Sequence, residues 1–114
     1  MDTIAAQIDT RLYRTEIKSA SGNILISDEP QELGGKNLGL NPTELLAASL
    51  ASCTVITLRM YINRKQWDVS EINVKIDFER DSERSVSVFT RKIEVIGEVD
   101  DTQRQRLELS LIHI

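Results

Sequence analysis

The only thiol of this chain, Cys53, closes the run Asn41-Pro42-Thr43-Glu44-Leu45-Leu46-Ala47-Ala48-Ser49-Leu50-Ala51-Ser52-Cys53, which is alanine-rich and carries no charge after Glu44. A lone cysteine in such a place is either inert packing or a nucleophile. Nucleophilic work requires the thiolate and therefore a cation close by. The helix dipole cannot serve, because Cys53 lies about three turns into the helix this run predicts and the dipole field fades within the first turn. One cysteine allows neither an internal disulfide nor a thiolate metal cluster, and the single histidine, His113, has no second imidazole to pair with. No loop shows the Asp/Asn/Gly spacing of a calcium site. No metal and no other cofactor is expected, and His113 reads as an exposed tail residue.

The element that must position Cys53 has a well-marked start. Asn41 suits an N-cap, Pro42 the first helical position, and Glu44 the third position of a capping box. The pattern runs unbroken to about Gln66, roughly 36 Å if helical throughout. Residues 45–58 carry no charge, whereas Arg59, Asn63, Arg64 and Lys65 follow, so the first half is expected to be buried on nearly every side and the second to emerge into water. Ahead of it, residues 7–20 alternate imperfectly, Ser21-Gly22-Asn23 signals a turn, and Ile24-Leu25-Ile26 reads as the returning strand. A loop of about a dozen residues with Pro30, Gly34, Gly35 and Gly39 joins this hairpin to the helix. Beyond the helix, Ile72, Val74, Ile76 and Phe78 alternate with polar residues, a charged turn spans 80–84, and Val86 to Ile96 gives a second long strand. Asp100 with Gln103 three residues later opens a polar final helix. Strand pair, helix, strand pair, helix is an α+β order, with antiparallel pairs curled around a long buried central helix. One sheet cannot cover a helix that is apolar all round, so a second copy of the chain is expected to cover the rest as a homodimer.

With 114 residues the chain is one domain, 1–114. Its net charge of −4, with basic residues scattered among acidic ones, offers no stripe for phosphates and argues against nucleic acid. No uncharged apolar run reaches the roughly 18 residues of a membrane span, and the first residues lack a secretory pattern. A cytoplasmic protein with no membrane partner is the expectation.

The words Glu29-Pro30, Glu32-Leu33-Gly34-Gly35, Asn41-Pro42-x-Glu44-Leu45-Leu46-Ala47-Ala48 and Cys53, eleven residues after Pro42, resemble the OsmC/Ohr family of stress-induced thiol proteins. Leu58-Arg59-Met60-Tyr61 and Lys65-x-Trp67 are similar to an OsmC-like branch of that family. The resemblance implies an intertwined α+β dimer with active sites at the subunit interface, and reduction of organic hydroperoxides by a thiolate that becomes a sulfenic acid. It makes Cys53 the attacking residue, assisted by an arginine from the N-terminal strands, Arg14 or alternatively Arg11, and by a carboxylate near the start of the central helix. The family carboxylate follows the proline directly, where this chain has Thr43, so its neighbour Glu44 is the candidate. Glu44 lies nine residues before Cys53, on the opposite side of a helix, and its capping-box spacing favours a cap over a part in the chemistry. The family's second cysteine is absent. The resemblance fades near Leu107 and implies that the last cysteine-containing segment and the final strand are missing through truncation or frameshift. A one-cysteine cycle reset by an external thiol reductant stays chemically open. The rival expectations are a non-catalytic dimeric module for a small apolar ligand, or an inactive remnant.

Overall fold

A computed structural model describes residues 2–111, and His113 lies outside them. The elements, in chain order, are β1 (Ile4–Ile8), β2 (Thr15–Ser19), β3 (Ile24–Ser27), a 3-10 turn (Gln31–Leu33), α1 (Pro42–Lys65), β4 (Val69–Asp81), β5 (Val86–Gly97) and α2 (Asp101–Leu111). This is the expected α+β class with antiparallel strand pairs and a long helix. Contacts divide the chain into two units, 1–46 and 47–114.

In the first unit β1, β2 and β3 form an antiparallel sheet in that order. The stretch 7–20, read as one strand, is two. The Asp9 carboxylate accepts the backbone N–H and the Nε–H of Arg11 at 2.8 and 2.9 Å, and Leu12 adopts φ +62°. This local side-chain bonding turns the chain where alternation was weakest.

The loop after β3 is fastened by polar groups. Asp28, only 3% exposed, accepts backbone N–H groups from Glu29, Lys36 and Leu38 at 2.8, 3.3 and 3.2 Å. Ser27 Oγ donates to the Leu40 carbonyl at 2.9 Å, and the Asp28 N–H bonds the same oxygen at 3.1 Å. The glycines of the Glu32-Leu33-Gly34-Gly35 word are explained here. Gly34 ends the 3-10 turn at φ +93°, a left-handed conformation that costs other residues. A Cβ on Gly35 would collide with the Glu29 carbonyl.

In the second unit β4 and β5 form a hairpin of 13- and 12-residue strands, with Phe78 and Phe89 directly opposite and their ring centroids 5.8 Å apart. Its core gathers Leu58 and Ile62 of α1, Val69 of β4 and Leu107 of α2, with Tyr61, Trp67, Ile72 and Val95 packed against them. Arg59 Nη1 donates to the Val69 carbonyl at 2.9 Å, tying the helix end to the first residue of the hairpin.

Both predicted capping boxes form. Asn41 Oδ1 accepts the Glu44 N–H at 2.8 Å while Glu44 Oε1 accepts the Asn41 N–H at 3.0 Å, and Asp100 with Gln103 repeats the exchange at 2.8 and 2.9 Å. Of the 24 residues of α1 only Ala47, Thr54, Leu58 and Ile62 are buried. That is one stripe, at spacings of seven, four and four. Burial on nearly every side is therefore not achieved within one chain: Leu46, Ile56 and Met60 are 59, 49 and 67% exposed. By length and composition α1 is also apolar enough to cross a membrane. This corrects the estimate from the uncharged run alone, because Met60, Tyr61 and Ile62 carry apolarity past the single charge of Arg59. The core helix of a soluble protein passes the same test.

Candidate functional site

Cys53 sits in the middle of α1, half-buried, and is a free thiol. Its Sγ lies 4.0 Å from Thr57 Oγ1, one turn on. The next residue, Thr54, is fully buried. Its hydroxyl donates to the Leu50 carbonyl at 2.7 Å and accepts from Arg91 Nη1 of β5 at 2.9 Å. The stretch of helix carrying the thiol is thus pinned to the hairpin by a guanidinium through the neighbouring residue. Sequence reasoning did not single out Thr54 or Arg91; the available signal was an arginine inside an otherwise alternating strand.

The two arginine candidates differ in their surroundings. Arg11 is exposed and paired with Asp9, Nη2 to Oδ2 at 2.8 Å. That hydrogen bond and charge hold the Asp9 carboxyl below its usual value, and Asp9 in turn raises Arg11. Arg14, half-buried just before β2, forms no ion pair or side-chain hydrogen bond among the described residues, although its charge also helps lower Asp9. Of the two candidates, Arg14 is the one without a side-chain partner among the described residues. Arg14 and Glu44 belong to the first unit and Cys53 to the second.

Glu44 is engaged in the capping box, its Oε1 turned to the Asn41 N–H. The carboxylate missed by sequence reasoning is Asp28. Burial opposes its ionisation, but the three backbone N–H donors and the charge of Lys36 outweigh that, and its pKa lies below the ordinary 3.8. Its signal was an aspartate at the mouth of a glycine-rich loop. No group of three metal-ligating side chains gathers among the described residues.

A sequence profile of OsmC-like proteins matches residues 34–112; Cys53 and Glu44 fall inside this segment and Arg14 outside it. No curated protein matches the chain. Solved structures do. A Psychrobacter arcticus protein assigned to osmotic stress induction and the detoxification response is 24% identical, with a TM-score of 0.84 over 98% of this chain and 82% of that one. An organic hydroperoxide resistance protein of Legionella pneumophila is 19% identical, with a TM-score of 0.60 over 96 and 80%. OhrB of Bacillus subtilis, another organic hydroperoxide resistance protein, is 19% identical, with a TM-score of 0.59 over 96 and 82%.

Proposed function

The chain belongs to the OsmC-like family, and from that premise we propose that it is a one-cysteine thiol peroxidase that reduces small organic hydroperoxides. The observation that carries the reading is the half-buried free thiol of Cys53 within the segment matched to the family. The stress-response and hydroperoxide-resistance names of the structural relatives support it.

The thiolate of Cys53 attacks the outer oxygen of ROOH. A sulfur–oxygen bond forms, the O–O bond breaks, and the alkoxide leaves as ROH after taking a proton, so that sulfur is oxidised to sulfenic acid and the peroxide reduced to an alcohol. Arg14, half-buried and without an ion pair among the described residues, is the cation we assign to the negative charge that passes from sulfur to the leaving oxygen. With a single cysteine, the reset requires two equivalents of an external thiol. The first condenses with the sulfenic acid, releasing water and leaving a mixed disulfide; the second displaces Cys53 and carries away the oxidised thiol pair. A free thiol of this kind suits a reducing, cytoplasmic compartment. Glu44 enters as the helix cap, holding the start of α1.

The functional unit we propose is a homodimer. The exposed stripe of Leu46, Ile56 and Met60 on α1, and the exposure of Ile4, Ile8, Ile24 and Leu25 in the first unit, support it.

The test is intact mass spectrometry after brief exposure to about one equivalent of cumene hydroperoxide with a dimedone trap. Rapid trapping at Cys53, absent in Cys53→Ser, is expected. A folded protein whose Cys53 stays unmodified overturns the proposal.

A further inference from the structure

The second unit contains a pocket of about 380 Å³ between α1, β5 and α2, within the size range of small-molecule sites. Leu58 and Leu107, 1 and 4% exposed, form its floor, and Ile93, Val95 and Leu111 its apolar wall. Its charged lining is Arg91, Arg104 and Glu108. Cys53 does not line it.

Neither guanidinium is in an ion pair with a carboxylate among the described residues. Arg91 spends one N–H on Thr54 Oγ1, and a guanidinium has five. That bond to a buried hydroxyl holds the group in place and leaves most of its donors for a ligand. Arg104 stands on the first turns of α2, with Glu108 four residues further along the same helix. Two positive charges against one negative leave the lining with a single net positive charge, which suits a monoanion better than a phosphate or a dicarboxylate. The planar fork of arginine matches a carboxylate.

We propose that this pocket binds an aliphatic monocarboxylate of medium chain length, its head held by Arg91 and Arg104 and its tail laid against Leu58, Ile93, Val95 and Leu107. Because Cys53 is outside this lining, binding here does not require its thiol.

Calorimetric titration of the full chain with octanoate, octanol and octylammonium tests this. Octanoate is expected to bind with a Kd below about 1 mM, octanol about tenfold more weakly and octylammonium not at all. Arg104→Gln, at an exposed position, weakens octanoate about tenfold by removing a charge-assisted hydrogen bond, whereas Glu108→Gln tightens it. Ile93→Trp fills the pocket and abolishes binding while circular dichroism shows the fold retained. Equal affinity for octanoate and octanol, absence of octanoate binding by the folded protein, or indifference to both Arg104→Gln and Glu108→Gln overturns the proposal.

Discussion

Arg11 and Arg14 carry the same charge three residues apart, yet one is occupied by Asp9 and the other has no carboxylate partner among the described residues. If the proposed chemistry holds, Arg14→Ala slows Cys53 oxidation by organic hydroperoxide about tenfold or more, the worth of one charge-assisted hydrogen bond. Arg11→Ala leaves the rate unchanged; stopped-flow traces of both variants decide it. Asp28 gives a prediction in pH. Its folded pKa is depressed, so its contribution to stability is fully present above the unfolded value near 3.8 and is lost as pH falls through the lower folded value. Loop amides 36 and 38 should therefore keep their hydrogen-exchange protection at pH 5 and lose it only as pH falls below 3.8 and through the lower folded value. In Asp28→Asn the loop is weakened already at pH 7, because one carboxylate oxygen accepts from Glu29 and the other from Lys36 and Leu38, and an amide keeps one side only by turning its NH2 against the donors of the other. Cys53 was legible in the sequence because a lone thiol stands out. Asp28 and Arg91 were not, since their partners are backbone amides and a hydroxyl brought close by the fold rather than neighbours in the chain.

The elements show where local chemistry speaks loudly. Both helix starts were legible because a capping box is a four-residue message, and the long hairpin because the alternation over residues 72–79 leaves no competing period. The turn between β1 and β2 was hidden, since Asp9 and Arg11 look like ordinary surface charges until the side chain bonds back to the main chain. For α1 the capping box gives a separation of roles. Glu44→Gln keeps an acceptor at the third position and should leave both stability and Cys53 oxidation within about twofold. Asn41→Ala removes the other half of the exchange and costs about 1 kcal/mol, read as a lower urea midpoint at unchanged slope. A large fall in oxidation rate for Glu44→Gln at full stability would instead return Glu44 to the chemistry.

At the scale of the molecule, many large apolar side chains of the single chain stand in water, Met60 at 67% and Ile4 at 68% exposure among them. The proposed pairing of two copies would cover them, and on that proposal Ile56→Glu with Met60→Glu should raise the dimer dissociation constant by about a hundredfold or more, given roughly 1.5 kcal/mol or more for each apolar side chain denied burial. Sedimentation velocity over a dilution series reads the change directly; a wild-type chain that is monomeric at all concentrations would remove the pairing. The apolarity of α1 also bears on the life of the newly made chain. As it leaves the ribosome, a 24-residue helix that by length and apolarity matches a bilayer-spanning segment presents targeting factors and chaperones with an ambiguous address. Until its hydrophobic face is covered, how quickly the newborn protein escapes misrouting depends on how quickly the hairpin and α2 close over Leu58 and Ile62.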